Sequence, residues 1–341
     1  MHIVGIKPIY GGSLPVMEYT LEALHQLGHR VTAIDFSSYL PMLHYIRTTN
    51  DEKATILLKE KTTKIIIETL EIMQPDVLFG IAQAPIFRPV LRFCKRHNIV
   101  SVFWFVEDFR RFTYWKDIAG LYDFFFVIQK SPFTDIVRKL CPRSFYLPLA
   151  AEPSVHRPLN LSEKERREYG SSVSFVGAGY PNRVALFEKL ELEDFKIWGS
   201  DWNLSRNSGL HKFLQRNGAR IDVKEYVKIF NASPVNLNLH SSLNPDEMGS
   251  GDFVNPRTFE IAACRAFQIV DYRTLLGELF EEGEEIIVCR TIYEMKRAIR
   301  KALEDPEWRM DVAQKGYRRV LREHTYLHRM KTLLEILERN A

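Results

Sequence analysis

The sequence predicts an α/β chain of two doubly wound domains. Short apolar, β-branched or aromatic runs alternate with helix patterns along almost the whole chain. One polar, Pro-containing stretch interrupts that alternation, and 341 residues suit two cores better than one. Runs that are apolar throughout, rather than alternating, belong to parallel sheets covered on both faces.

In the first half, "HIVGI" (2–6) predicts a strand, 14–27 an amphipathic helix and "RVTAIDF" (30–36) a strand. A helix over 52–73 leads to strand "PDVLFGIA" (75–82), helix 87–97 and strand "IVSVFWFV" (99–106). Strand "DFFFVI" (123–128), helix 132–141 and strand "SFYLPLA" (144–150) complete a first domain over 1–150. The charged segment 151–172 has the composition of a linker. Alternation then resumes with strand "VSFVGA" (173–178), helix 182–190, strand "FKIWG" (195–199), helix 223–232 and strand "VNLNLH" (235–240). A helix opened by Asn255-Pro256 follows, then strands at 266–271 and 284–289 and helices from 291 onward. The second domain is expected over 173–316. The stretch 317–341 carries an apolar stripe (Leu327, Met330, Leu333, Leu334, Ile336, Leu337) expected to pack back on the first domain.

Composition narrows the class. Apolar content of 45% with 26% charged residues is that of an ordinary globular protein, and a net charge of +4 demands no nucleic-acid surface. Basic residues crowd the C-terminal helices, among them Lys296, Arg297, Arg300, Lys301, Arg318, Arg319 and Arg322. They predict a solvated face, with weak peripheral contact with an anionic membrane as the minority reading. Four cysteines without paired spacing predict reduced thiols in a cytoplasmic compartment and no zinc site. No run approaches the roughly 20 apolar residues of a membrane span.

In doubly wound sheets ligands gather at the carboxyl ends of strands, so the loops there hold the candidate residues. Gly11-Gly12 follows the first strand, where glycine lets backbone N–H groups approach a phosphate or sugar, or simply makes a turn. "FVGAGYPNR" (175–183) has Gly177-x-Gly179 but lacks the third glycine of a dinucleotide fingerprint, which excludes NAD binding on this pattern. Arg183 is a candidate phosphate ligand or a surface arginine. Glu107-Asp108 ends the strand 99–106, where a general base or sugar-hydroxyl acceptor is useful; helix capping by Asp108 is the alternative.

"HSSLNPDEMGSGDFVNPRTFE" (240–260) is the most informative stretch. A strand ends at His240, a polar loop follows, and Asn255-Pro256 opens a helix with Arg257, Thr258 and Glu260 in its first turns. Either Glu260 complements the helix dipole and Arg257 points into water, or Arg257 holds phosphate and Glu260 a hydroxyl. No Asp-x-Asp pair occurs in the chain, so metal-bridged diphosphate binding has no evident seat and no metal or cofactor is expected.

At these residues the chain resembles glycosyltransferases of the two-Rossmann GT-B fold. Within them it is similar to the CgeB-like (spore-maturation-protein-like) branch related to glycosyltransferase family 4. "GGSLPVMEYTLEALHQLGHRVTAID", "FYLPLAAEPSVHRP", "VSFVGAGYPNRVALFEKL" and "YVKIFNASPVNLNLHSS…NPRTFEIAACRAFQIVD" carry the match, with the tail "REHTYLHRM". The resemblance implies two Rossmann-like domains facing a cleft. A nucleotide-diphosphate sugar is expected on the C-terminal domain and a sugar, protein or lipid-linked acceptor on the N-terminal one. It also implies retention of anomeric configuration, and the missing Asp-x-Asp pair predicts metal-independent chemistry. Family 4 enzymes place two glutamates eight positions apart on the sugar and the ribose. Glu260 matches the second and Asp252, a shorter carboxylate, the first. Relatives often have glycine where this chain has Arg265. Asp252, Glu107 and Asp108 are the candidate catalytic carboxylates. Gly11, Gly12, Gly177, Arg183, His240, Asn255, Arg257, Thr258 and Glu260 are the candidate donor-binding set. Competing expectations are a non-catalytic nucleotide-sugar-binding or coat-associated protein and a GT-B-like sugar-nucleotide epimerase.

Overall fold

A computed structural model describes residues 1–340. The chain forms two compact units. One is Met1–Pro148 together with everything from Tyr326 onward, and the other is Leu149–Thr325.

The first unit holds six strands, β1 (His2–Ile6), β2 (Arg30–Ile34), β3 (Val77–Ile81), β4 (Val100–Phe105), β5 (Phe124–Val127) and β6 (Ser144–Tyr146). They pair in parallel in the order β2-β1-β3-β4-β5-β6. The central strands are buried along their length, as unbroken apolar runs require; β2, at the edge, is partly exposed. β6 stops at Tyr146, short of the expected 150, because Pro148 has no N–H for the ladder. The helix Glu52–Met73 begins where the Asp51 side chain accepts from the Ala54 amide at 3.0 Å and ends at Gln74 in the left-handed conformation. The last helix, Tyr326–Arg339, buries Met330, Leu333, Leu334 and Leu337 and packs on the helix Ser13–Gln26. The rings of Tyr19 and Tyr326 lie 5.3 Å apart there, and Arg329 donates to the Pro148 carbonyl at 2.8 Å. Leu327 stays 38% exposed, so the buried stripe is narrower than the sequence suggests.

The second unit holds β7 (Val173–Val176), β8 (Phe195–Trp198), β9 (Val235–Asn238), β10 (Gln268–Asp271) and β11 (Ile287–Cys289), again all parallel, in the order β11-β10-β9-β7-β8. Residues 151–172, expected as a linker, fold with this unit. They contain the helix Glu163–Tyr169, opened by a reciprocal Ser162–Glu165 capping box and anchored by buried Tyr169. The expected single segment 317–341 is divided: the helix Pro306–Glu323 stays with the second unit, and His324-Thr325 interrupts it. His324 is held there by its ring nitrogen against the Leu279 carbonyl (2.7 Å) and by its own carbonyl, which accepts from Ala151 N–H at 3.0 Å.

In each sheet the strand order reverses once, between β1 and β3 in the first unit and between β7 and β9 in the second. Connections leave in opposite directions at such a point and open a crevice at the strands' carboxyl ends.

Strand β9 is built unusually for a central strand. Val235 and Leu237 alternate with Asn236 and Asn238, and all four are buried. Asn236 donates to the carbonyls of Phe230, Ser233 and Phe267 and accepts from Ser174 at 2.8 Å. Asn238 accepts from Asn255 Nδ2 at 2.9 Å and donates to Thr258 Oγ1 (3.0 Å) and Gln268 Oε1 (3.1 Å). Thr258 donates to Asn255 Oδ1 at 3.2 Å, and Gln268 Nε2 donates to the Thr258 carbonyl at 2.7 Å. Every side chain in this ring answers another, which is what burial of polar groups demands. Asn238→Ala strands donors and acceptors on three buried partners. It is expected to lower stability by about 3 kcal/mol in urea unfolding. A loss below about 1 kcal/mol would show that the ring is dispensable.

Candidate functional site

In the first unit the crevice between β1 and β3 brings together Gly11, Gln83 and Glu107. Gly11 has φ 122°, a backbone conformation that residues with a side chain rarely adopt, and the Gln83 carboxamide lies against the face where a Cβ would stand. Gly12 has open space around its Cα. Gln83, at φ 71°, donates to Glu107 Oε1 at 2.7 Å, while the Tyr114 hydroxyl donates to Oε2 at 2.7 Å. Burial, and then the Glu107 charge, push the Tyr114 phenol up, so it stays a donor. Glu107 therefore has both oxygens engaged and is not a free base. Asp108 is held by Arg110, whose guanidinium lies 3.2 Å from Oδ2 and whose amide donates to Oδ1 at 3.0 Å. The Asp108 carbonyl accepts from Arg111 and Phe112 in a turn, and Asp108 caps no helix, because the next one, Trp115–Ile118, starts after Tyr114.

In the second unit several sequence candidates prove to be structural. The Arg183 guanidinium is buried and donates to the Leu239 carbonyl through Nε (3.1 Å) and Nη2, and to the Ala178 carbonyl through Nη1 (2.8 Å). It ties the loop after β7 to the end of β9 and is neither a surface arginine nor open to a phosphate on these donors. Gly177 lies under the loop after β8: its carbonyl accepts from Trp202 Nε1 at 3.1 Å, and a Cβ on Gly199 would meet it at 2.4 Å. A Cβ on Gly177 itself would meet the Phe175 ring at 2.8 Å and Arg183 Nη1 at 3.1 Å, so the packing of these two side chains favours glycine there. Asn255 caps the helix Arg257–Ala263 by accepting from the Thr258 amide at 3.2 Å, with Pro256 in helical conformation at the first position. The Asn255 and Thr258 side chains are consumed by the Asn238 ring. Asp252 sits, half-buried, in the loop before them.

Arg257 and Glu260 come together instead of acting apart. One turn separates them, and Arg257 Nη1 pairs with Glu260 Oε2. The guanidinium stacks on the Tyr226 ring at 3.9 Å and keeps 28% of its side chain exposed. Glu260 Oε1 takes no hydrogen bond from the described residues; its nearest basic group is His156 Nε2 at 3.8 Å. His156 accepts from the Glu152 amide through Nδ1 (3.1 Å), which leaves Nε2–H to meet the Tyr226 hydroxyl at 3.1 Å. Burial pulls the His156 imidazole below its ordinary value, against the attraction of Glu260.

Residues 183–335 match the family described as "Glycosyl transferase-like". Spore protein CgeB of Bacillus subtilis (strain 168) is 22% identical over 271 residues, covering 75% of this chain and 81% of that protein. The sucrose-phosphate synthase of Thermosynechococcus elongatus superposes with a TM-score of 0.67 at 12% identity, covering 99% of this chain and 98% of the other. Anabaena HepE, solved in complex with UDP and glucose, gives 0.66 at 10% identity with 99% of each chain covered. The chain has the GT-B fold of these glycosyltransferases, and its second half resembles the glycosyl transferase-like family.

Arg265, just past the end of the Arg257–Ala263 helix, has φ 52°, the left-handed conformation that glycine adopts most readily. Sequence reasoning missed Gln83 and Tyr114, which hold Glu107, and Tyr226 and His156, which lie against Arg257 and Glu260. His156 and Tyr226 lie far from Glu260 in sequence, and no local pattern marks them. Among the described residues, no group of three or more His, Cys, Asp or Glu is placed to hold a metal ion, and no helix is long and apolar enough to cross a membrane. All four cysteines are buried and unpaired, and burial pushes Cys94 and Cys289 up to about 12, so they are inert thiols.

Two buried imidazoles make the fold acid-sensitive. His156 and His240 are fully buried, and burial holds both below the ordinary imidazole value near 6.5. Below that value the unfolded chain binds protons that the folded chain refuses. Stability should therefore fall with acidification from pH 7 to 5, with a slope approaching about 1.4 kcal/mol per pH unit for each imidazole. Urea unfolding across that range checks it; a flat profile between pH 7 and 5 would contradict neutral burial.

Proposed function

We propose that the chain is a glycosyltransferase that takes a sugar from a nucleotide-diphosphate sugar and transfers it to a hydroxyl-bearing acceptor. The observation that carries this reading is Glu260. One oxygen is anchored by Arg257 and the other is open, within the segment that matches the glycosyl transferase-like family. A carboxylate held in that way is oriented to accept from a ribose hydroxyl through Oε1. Arg257 keeps donors beyond the one on Glu260, and its partly exposed face supplies positive charge for the diphosphate, bidentately where geometry allows. Charge grows on the leaving nucleoside diphosphate as the glycosidic bond breaks, and a fixed guanidinium stabilises it without reorganisation. Binding of UDP and glucose by HepE, and the likeness to the family 4 branch, support a nucleotide sugar as donor and retention at the anomeric carbon. The first unit is proposed as the acceptor side, with Gly11, Gly12 and the Gln83–Glu107–Tyr114 set lining its crevice.

A second reading has a specific observation behind it. Glu107 is saturated and Asp108 is clamped by Arg110, which leaves no free base in the first unit's set and favours a protein that binds the donor without turnover. Slow hydrolysis of donor by the purified protein would decide for the enzyme.

Glu260→Gln keeps an acceptor oxygen but loses the charge that pairs with Arg257. Hydrogen bonds to charged groups contribute about 1.5–3 kcal/mol, so a loss of about tenfold or more in nucleotide affinity is expected. Preference for a ribose over a 2′,3′-dideoxyribose nucleotide should shrink in the variant; an unchanged preference would make Glu260 a helix-end residue. Transfer is also expected to persist in EDTA. Loss of activity rescued by Mg²⁺ or Mn²⁺ would overturn metal independence.

A further inference from the structure

His240 lies two residues beyond the end of β9, at the crevice between β7 and β9, and its side chain is wholly buried. Asp271, the last residue of the neighbouring β10, accepts twice on Oδ1. It takes the His240 backbone N–H at 2.9 Å and the ring Nδ1–H at 2.6 Å. A carboxylate can only accept here, so the ring proton sits on Nδ1 and Nε2 carries a lone pair. Arg273 holds the other Asp271 oxygen in an ion pair at 2.9 Å, is itself 2% exposed and donates to the Tyr272 carbonyl. Burial works against the Asp271 charge, but His240 and Arg273 outweigh it and keep the carboxyl below its usual range. The order Arg273–Asp271–His240 thus fixes one tautomer and one ring orientation, as a carboxylate does for a catalytic imidazole.

His240 Nε2 has no hydrogen-bond partner among the described residues. The nearest ring, Phe253, stands edge-on at 6.1 Å between centroids and comes from the loop that leads into the Arg257–Ala263 helix. A buried acceptor left unmet while its opposite nitrogen is so firmly held is a costly arrangement unless a ligand completes it. A neutral imidazole of this tautomer cannot bind a phosphate oxygen, because it offers that side no proton. Its complement is an O–H group.

We propose that His240 Nε2 accepts a hydrogen bond from a hydroxyl of the donor sugar, with Asp271 and Arg273 as positioning residues. The proposal rests on the second unit being the nucleotide-sugar side. It separates two parts of one ligand, the nucleoside diphosphate on Arg257 and Glu260 and the hexose on His240.

Calorimetric titration with matched pairs, UDP against UDP-glucose and GDP against GDP-mannose, tests this in the full chain. His240→Phe removes the acceptor. Asp271→Asn keeps an oxygen for the His240 backbone N–H but loses the charge that holds the ring in its Nδ1–H tautomer and pairs with Arg273. Both variants should bind the nucleoside diphosphate within about twofold of wild type and lose about tenfold for the nucleotide sugar. Equal weakening of both ligands would make His240 purely structural, and unchanged binding of both would remove it from the site; either result overturns the proposal. Wild-type protein that binds neither member of either pair would refute the donor reading itself, and this inference with it. Should the variants fail to fold, ¹⁵N NMR of wild-type His240 decides. Its Nε2 resonance should be that of an unprotonated nitrogen, move on addition of the nucleotide sugar and stay in place with the diphosphate alone. A protonated Nε2, or identical shifts with both ligands, would end the proposal.

Discussion

The second unit depends on one constraint: the carboxamide of Asn238, buried in a central strand, must have all its hydrogen bonds made by protein. Its three partners are Asn255, Thr258 and Gln268, which belong to the start of a helix and to the adjacent strand. Meeting that demand fixes where the helix Arg257–Ala263 begins and how it is rotated about its axis. The rotation in turn decides that Thr258 faces the sheet while Arg257 and Glu260 face Tyr226 and His156. A hydrophobic residue at 238 would pack at least as well but would leave the helix end free to slide. The polar ring contributes position more than net stability.

From that position follows the electrostatic character of the candidate site. Arg257 is neutralised by Glu260 and spread over the Tyr226 face, so its charge is held in place without needing a ligand. His156 is kept uncharged by burial although a carboxylate lies 3.8 Å away, because its Nδ1 is occupied by a backbone amide and its Nε2–H by a phenol. The site therefore offers an oriented cation, one open carboxylate oxygen and neutral imidazoles. That combination suits a ligand with a diphosphate at one end and hydroxyl groups around it.

The first unit solves a different problem at its own crevice. Gln83, in a left-handed conformation, lies against Gly11 and reaches Glu107, and Tyr114 completes the pair of hydrogen bonds on that carboxylate. A carboxylate saturated in this way is a rigid acceptor and shapes the loop after β1. Taking a proton from an acceptor hydroxyl would require one of these bonds to be given up first.

What the sequence by itself determined is the doubly wound α/β class, the order of strands and helices, the helix start at Asn255-Pro256 and the kinship of 240–260 with glycosyltransferases. Those features are local: apolar periodicity, capping residues and motif spacing are written within a few residues of one another. It also carried Glu260 and Arg257 to the right helix turn, though as separate ligands. The tertiary structure alone decided that these two pair, and that Arg183 is consumed by the Leu239 and Ala178 carbonyls. It also decided that Gly177 lies against Phe175 and Arg183 and that Asn255 and Thr258 serve Asn238. Likewise, only folding places Asp271 beside His240, and Tyr226 and His156 beside Glu260, across 31, 34 and 104 positions of chain. The reason is physical. A side chain's chemistry is set by which donors and acceptors reach it, and in parallel sheets adjacent strands are joined through long crossovers, so those partners leave no mark in the local pattern.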